Sequence, residues 1–467
     1  MSNIVGAREF SVRHAVGMRR LYDATRTAFP LLRRALDIIG RDRVERIVVP
    51  VERIAKSALF DCRMCGQCAL SSTGMSCPMN CAKSMRNGPC GGVRPDQTCE
   101  VVPSMRCVWV AASEGQKRLA AHGKMSAKAR RPLDHRRRGS SSWVAAIAGE
   151  AAAELPCADR VTASPRIPFR FEQACQSRKF VLTVEIAPPD TADPSALLDR
   201  AGLFHGLVDA INITDGAGAN CHMSSVAASA VLAMHGLDAI HQMTCRDRNR
   251  IAMQGDLLGA SALGVRNVLC LTGDDVSNGD QPEAKRVFDL DSVSLLRLAR
   301  HMRDRGEFSS GRKLIVPPNI FLGATVNPFA PPYEDRIANL AAKIEAGAQF
   351  IQTQFCYDLD AFSGFLEAFR RNGLHERCAL IVGVGALNNA KALERMVAKV
   401  PGVHVPKRVT DRIGSAPDQR AEGLKILIET MESLAGMAGV AGAHLMGFRN
   451  EPTLAEALRA FGARDRA

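Results

Sequence analysis

The chain has 467 residues and a formal net charge of +13, with 46% hydrophobic, 23% charged and 5% aromatic residues. That length suits two to three domains rather than one small core. Without an apolar run of about 18 residues, no membrane span is expected.

The opening MSNIVGAREFSVRHAVGMRR lacks a continuous apolar stretch, so no secretory leader is expected and the location implied is cytoplasmic. The basic balance is compatible with nucleic acid and with polyanionic small molecules. Two tryptophans and three tyrosines supply few base-stacking platforms, so nucleic acid is not the expected partner.

In chain order, residues 1 to about 60 read as helical, with Leu21, Phe29, Leu32, Ala35, Ile38 and Ile39 at mixed three- and four-residue spacings. Residues 61–110 are rich in Gly, Pro and Asn, hence loop-dominated, and residues 1–110 are expected to form one domain. Residues 111–177 read as a linker region. It carries Lys124, Lys128, Arg130, Arg131, Arg136, Arg137 and Arg138 opposed by Asp134, then the break Gly139-Ser140-Ser141-Ser142 and an alanine-rich helix near 143–155. Such a charge run is usually a solvated linker, the alternative being a dock for an acidic partner.

The loop-dominated stretch holds eight of the fifteen cysteines, as Cys62-x2-Cys65-x2-Cys68-x8-Cys77-Pro78-x2-Cys81-x8-Cys90-x8-Cys99-x7-Cys107. In a reducing compartment such density points to metal or redox chemistry rather than to disulfides. A Cys-x2-Cys-x2-Cys run can hold three corners of an iron–sulfur cubane, and a remote cysteine followed by proline can supply the fourth. Eight thiolates would satisfy two [4Fe–4S] clusters, one cluster plus a zinc, or two zinc sites; the triple run favours iron. Free structural thiols are the remaining alternative, and a cluster here could be redox-active or purely structural. Cys245, Cys270 and Cys356 sit singly in apolar settings and read as core thiols.

From residue 178 to 467 the texture is that of a catalytic domain of alternating strands and helices. Strands are expected at Phe180–Ile186, Val208–Ile213, Ala239–Thr244, Val268–Leu271, Ile320–Thr325, Phe350–Gln354, Ala379–Val384 and Ala443–Phe448. Helices are expected at Arg248–Leu263, Val293–Asp304 and Ile337–Ala346, among others. This is the arithmetic of a (β/α)8 TIM barrel. A doubly wound open sheet is the alternative, but no GxGxxG follows the first strand.

Polar residues gather where these strands end: Glu185, Thr214-Asp215-Gly216, Gln242 with Thr244, Thr272-Gly273-Asp274-Asp275, Asn327-Pro328 and Thr353-Gln354. Together they describe a polar ring at one mouth of a barrel, where barrel chemistry resides. Glu185 lies in an otherwise apolar strand. Burial there would raise its pKa towards general-acid range, unless it serves a structural ion pair. Asp274 follows a glycine that lets a ligand approach the backbone, or else caps a turn. Gln354 both donates and accepts, which suits the edge of a flat heterocycle as well as a buried hydrogen-bond clip.

Thr183–Pro189, Asn212–Ala217, Met243-Thr244-Cys245, Leu271–Asp274 and Ala346–Gln354, in this order, resemble methylenetetrahydrofolate reductase over roughly residues 178–460. The front stretch, with Arg86-Asn87-Gly88-Pro89-Cys90-Gly91-Gly92, looks like the cysteine-rich subunit that accompanies such reductases in acetogenic bacteria, here fused. The resemblance implies flavin-dependent interconversion of 5,10-methylenetetrahydrofolate and 5-methyltetrahydrofolate. Glu185 would manage the proton at folate N10, Asp274 would engage the pterin and influence the flavin, and Gln354 would touch folate and, alternately, nicotinamide. Thr214 would lie at the nicotinamide site. FAD contacts would fall on Ala217, Gln242, Gly273, Asn327, Asn339 and Lys343, the lysine as charge partner of the pyrophosphate. NAD(P)H, or an electron-transfer protein acting through the cysteines, would reset the flavin.

The sequence also departs from the family. Asp215 stands where a tyrosine is usual, Gln242 for a histidine, Thr272 for an arginine, Asn327 for a tyrosine and Ala390 for a folate-covering phenylalanine; the late arginine is shifted to Arg449 beside Asn450. Two other classes remain to be separated from this reading. One is a folate-dependent methyltransferase on a similar barrel, without flavin. The other is a non-catalytic metal-cluster assembly protein.

Overall fold

A computed structural model describes residues 2–121, 130–150, 169–177, 179–400, 403–447 and 449–464. The chain divides into two compact units, Met1–Asp159 with Asp289–Asp291, and Arg160–Phe288 with Ser292–Ala467.

The first unit begins with four helices, α1 (Ser2–Arg13), α2 (Ala15–Arg26), α3 (Phe29–Ile39) and α4 (Arg41–Phe60), as the apolar spacing implies. The cysteine stretch after them is mostly turns and short 3-10 segments. Helix α5 (Val108–Ala120) follows, burying Val108, Trp109, Val110, Ala112 and Leu119. A break at residue 110 would therefore fall inside a packed helix. Trp109, Val110 and Ala112 pack with Met85, Val93 and Cys107, while Leu119 joins Ala15, Phe60, Leu70 and Met75 in a second cluster. The alanine-rich helix is the short α6 (Ser142–Ile147), whose Ser141 side chain accepts from Val144 N. The continuation expected to residue 155 runs past the described residues, as do Lys124 and Lys128.

The second unit is a closed parallel barrel with strand order β1 to β8. After α7 (Arg170–Gln176), the strands are β1 (Val181–Ile186), β2 (Ala210–Ile213), β3 (Ala239–Thr244), β4 (Asn267–Leu271), β5 (Phe321–Val326), β6 (Phe350–Phe355), β7 (Ala379–Gly385) and β8 (Gly442–Met446). Single helices connect most of them: α8 (Ser195–Gly202), α9 (Ser225–Met234), α10 (Arg250–Ala262), α11 (Ser292–Arg305), α12 (Asp335–Ala346) and α13 (Leu359–Arg371). Three helices follow β7, namely α14 (Ala390–Lys399), α15 (Lys407–Ser415) and α16 (Gln419–Ala435), and α17 (Glu451–Arg464) closes the unit. All eight expected strands are present within a few residues, and the open-sheet alternative is excluded by closure between β8 and β1.

The barrel is filled in layers. At its N-terminal end, Val181, Ala210, Ile240, Leu269, Phe321, Phe350 and Ile381 form one apolar cluster around Phe171 of α7. Phe171 meets Phe321 and Phe350 edge-on, with ring centroids 5.9 and 5.2 Å away. The Phe171 backbone N–H donates to Asp238 Oδ2 at 3.0 Å, which fixes this short helix beneath the strands. Above the apolar floor lies a polar layer, Thr183, Asn212, Gln352 and His444, each no more than 2% exposed. Phe171→Ala should empty the centre of the floor and lower the stability of the barrel by about 3–5 kcal/mol. Denaturant titration followed by far-ultraviolet circular dichroism measures this.

Candidate functional site at the C-terminal mouth

Because the strands are parallel and closed, every strand C-terminus opens on one mouth, and the polar strand ends of the sequence share that rim. Glu185 is on β1 two residues beyond Thr183, so both face the lumen. It is partly exposed rather than sealed in an apolar interior. Its Oε2 accepts a hydrogen bond from Gln242 Nε2 of β3 at 2.9 Å, and His444 Nε2 of β8 stands 3.8 Å from the same oxygen. The structure thus ties Gln242, expected among the flavin contacts, to the carboxylate.

Below Glu185, Asn212 and Gln352 exchange hydrogen bonds across the barrel at 2.7 and 3.0 Å. Gln352 Nε2 also donates to Thr183 Oγ1 at 3.3 Å, and Thr183 Oγ1 lies 2.9 Å from His444 Nδ1. Thr183, Gln352 and His444 escaped the sequence reading. The only available signal was a run of polar side chains interrupting apolar strands at lumen-facing positions.

At the end of β2, Thr214 Oγ1 is buried without a hydrogen-bond partner. Asp215 beside it is fully engaged. Its carboxylate accepts from Arg248 Nη1 and Nη2 at 2.6 and 2.9 Å, from Thr244 N and Oγ1 at 2.8 and 2.9 Å, and from Ser225 Oγ at 3.0 Å. Burial acts to raise its pKa, but the Arg248 guanidinium and the Thr244 N–H prevail and hold it well below the usual carboxylate range. Where the resemblance implies a tyrosine, this chain therefore builds a buried ion pair joining β2, β3 and the start of α10. The following loop runs through left-handed Gly216, Gly218 and Ala219, with Ala217 half-buried among them.

At the end of β4, Gly273 has φ +94°, and a Cβ there would stand 2.9 Å from Thr244 Cβ, so both the turn and the close approach require glycine. Asp274 follows it and is exposed. Its neighbour Asp275 performs the turn capping, accepting from Ser277 N and Oγ at 3.0 and 2.6 Å and pairing with Arg286 at 2.9 Å. Gln354 sits where the β6–β7 register shifts, with Oε1 accepting from Phe355 N at 3.0 Å. Asn327 is buried and its Oδ1 accepts from Phe329 N. Asn339 is half-buried on α12, and the buried Lys343 donates to the Thr325 carbonyl at 2.6 Å.

In the first unit the eight cysteines separate into two sets along the chain. Cys62, Cys65, Cys68 and Cys77 line one small cavity together with Glu52 and Lys56; Cys81, Cys90, Cys99 and Cys107 line another with Lys83 and Glu100. All eight are free thiols. Among the described residues, no three His, Cys, Asp or Glu side chains converge closely enough to hold a single metal ion as they stand. Burial pushes the Cys77 and Cys81 thiols up to about 12. Lys56 donates to Glu52 Oε1 and Ser142 Oγ, each at 2.6 Å, and Lys83 pairs with Glu100. A Cβ on Gly92 would collide with the Glu100 carboxylate, so glycine makes room for that buried acid.

Fold and rim together define a (β/α)8-barrel protein with a polar site at the mouth where such barrels perform chemistry. The chain belongs to the methylenetetrahydrofolate reductase family, whose model matches residues 170–462, and the barrel is fused to an N-terminal helical region. Residues 42–136 match a second family model, described as methylene-tetrahydrofolate reductase C terminal, which here precedes the barrel. A probable methylenetetrahydrofolate reductase (NADPH) of Caenorhabditis elegans is 27% identical over 244 residues, 51% of this chain and 34% of that protein. Methylenetetrahydrofolate reductase 2 of Schizosaccharomyces pombe is 30% identical over 212 residues, 44% of this chain and 32% of its own length. A 5,10-methylenetetrahydrofolate reductase of Pectobacterium carotovorum subsp. carotovorum is 26% identical over 188 residues, 40% of this chain and 56% of its own. The chain thus spans about a third of the two eukaryotic relatives and just over half of the bacterial one. No described helix is long and apolar enough to cross a membrane.

Removing Arg248 would leave Asp215 buried and unpaired. Arg248→Met should cost about 3–5 kcal/mol, and adding Asp215→Asn should recover part of it. The contribution of the pair is present above the unfolded aspartate pKa of about 3.9 and fades as the pH falls below it. Thermal denaturation of both variants at neutral and acid pH tests both statements.

Proposed function

We propose that the barrel interconverts 5,10-methylenetetrahydrofolate and 5-methyltetrahydrofolate with bound FAD, and that the first unit holds two metal centres. The observation that carries the catalytic half is the Glu185 carboxylate, held in the lumen by Gln242 at the mouth of a barrel of this family. A carboxylate so placed is a proton acceptor and donor for folate N10 as the five-membered ring opens or closes, and proton transfer of this kind contributes about 10²–10⁴-fold. Asp274 and Gln354, on the rim at β4 and β6, would orient the pterin, since positioning alone lowers a barrier by several kcal/mol.

FAD, when bound, supplies hydride transfer to or from the folate carbon. The residues present fit such a group. The turn at Gly273, where a Cβ would meet Thr244, leaves room for a ligand against the backbone at the rim, and the orphaned Thr214 Oγ1 offers the nicotinamide beside it a buried polar atom awaiting a partner. Ala217, Gly273, Asn327, Asn339 and Lys343 would hold FAD, with Gln242 serving Glu185 as well, and Thr214 would lie at the nicotinamide site. NAD(P)H, or an electron-transfer protein working through the first unit, would supply the electrons.

For the metal centres the fit lies in the donor chemistry. Four thiols line each cavity, and desolvated thiols lose their protons readily only to a cation that replaces the proton's charge. Cys62, Cys65, Cys68 and Cys77 would hold one [4Fe–4S] cluster and Cys81, Cys90, Cys99 and Cys107 a second, with zinc as the alternative metal.

The test is an anaerobic absorption spectrum with iron, zinc and acid-labile sulfide measured on the same sample. Flavin bands and about four irons per cluster are expected. Zinc with flavin would keep the reductase and make the cysteine sites structural. Folded protein taking up neither flavin nor iron would favour the methyltransferase. Glu185→Gln should lower turnover by at least about 10²-fold without unfolding the protein; unchanged turnover would sink the catalytic reading. Cys65→Ser and Cys90→Ser should each remove one centre and spare the other, read as halved metal content.

A further inference from the structure

We infer that His444 is a positioning residue for Glu185, presenting an Nε2–H to its carboxylate, and that the buried polar layer beneath fixes this tautomer. The inference rests on the proposed role of Glu185 and adds the device that orients it. His444 and Thr183 are paired in register on adjacent strands β8 and β1, which brings the imidazole beside the threonine hydroxyl. His444 is 2% exposed and Thr183 is fully buried, so no solvent competes for either.

The proton count follows from the hydrogen bonds. Gln352 has two amide protons: one goes to Asn212 Oδ1 at 3.0 Å and the other to Thr183 Oγ1 at 3.3 Å. The opposite half of the amide pair is closed by Asn212 Nδ2 donating to Gln352 Oε1 at 2.7 Å. The Thr183 oxygen thereby accepts from Gln352; were it to accept from Nδ1 as well, its own proton would have no acceptor among the described residues, so the arrangement that pairs every proton has Thr183 donate across the 2.9 Å contact to His444 Nδ1. Nδ1 must then be the unprotonated nitrogen. The neutral ring carries its proton on Nε2, which stands 3.8 Å from Glu185 Oε2. The same oxygen already accepts from Gln242 Nε2. Two N–H groups from opposite sides of β1 thus face one carboxylate oxygen, leaving Oε1 for the substrate. At 3.8 Å the imidazole contact is electrostatic; it becomes a hydrogen bond with a small shift of the carboxylate.

The test uses the full-length protein with its cofactors. Nitrogen-15 NMR of labelled histidine, assigned by the signal lost in His444→Gln, should show His444 protonated at Nε2 only. Thr183→Val should abolish that preference. In turnover, His444→Gln keeps a donor near the Nε2 position and should retain most of kcat. His444→Asn keeps one only near Nδ1 and should lose about ten- to a hundredfold in kcat with little change in KM. An Nδ1–H tautomer in the wild-type protein, which needs no variant to fold, overturns the inference. Equal kcat in the two folded variants overturns it as well. Should Glu185→Gln turn over normally, the reading of Glu185 fails and this one with it; should Glu185 prove essential while the tautomer is wrong, His444 alone falls.

Discussion

The second unit depends on one constraint: the polar side chains inside the barrel must satisfy one another, because no water reaches them. An amide buried without partners costs about 1–3 kcal/mol in proteins, which the reciprocal Asn212–Gln352 bonds avoid. Strands β2 and β6 stand on opposite walls of an eight-stranded barrel, so this pair ties the walls together through the lumen. A one-residue slip of either strand would turn its amide outward and leave the other unpaired. The polar layer therefore selects the register that also sets Glu185, two residues beyond Thr183, at the mouth.

The three levels of the lumen divide the work. Phe171, Phe321 and Phe350 close the floor by shape and burial. The middle level of Thr183, Asn212, Gln352 and His444 is fully buried and hydrogen-bonded, which makes it directional where the floor is not. The top level is where the polar groups are partly open: Glu185 and Gln354 are half-exposed and Asp274 is exposed. Each level supports the one above, since a side chain at the rim is only as well oriented as the strand and neighbours that carry it.

Much of this architecture was legible in the sequence. Eight short apolar runs alternating with helical patterns specify a barrel, and polar strand ends mark its working mouth. Glu185, Asp274 and Gln354 could be singled out because each stands at a strand end, Glu185 in an otherwise apolar strand, and because each falls in a stretch that carries the family resemblance. The partnerships could not be read the same way. A family pattern places Gln242 at the flavin, while its bond to Glu185 crosses from β3 to β1, a long-range contact that strand-by-strand reading does not reveal. Asp215 looked like a change at a ligand site; with Arg248 thirty-three residues away it is a structural ion pair. Asp274 and Asp275 are adjacent and alike in sequence, and only the turn geometry shows that the second does the capping.

The first unit poses the same electrostatic problem with different chemistry. Each set of four cysteines lines its cavity beside one lysine and one glutamate, Lys56 with Glu52 and Lys83 with Glu100. A buried ion pair contributes little net stability compared with apolar packing of similar volume, because the desolvation of both charges offsets their attraction. Two such pairs, one at each cavity, therefore call for a reason beyond folding. On the proposed metal reading the reason is charge: four thiolates around a metal centre carry net negative charge into a desolvated space, and an ammonium nearby offsets it. The glutamate then holds the lysine in place: Ser141 Oγ and the Trp143 N–H donate to Glu52 Oε2, while Ser142 Oγ donates to Oε1 beside Lys56. Gly92 belongs to the same arrangement, since any side chain there would displace Glu100 and with it the partner of Lys83. On that reading, the same layout around both sets of thiols would give Gly92, the two acids and the two lysines one electrostatic purpose.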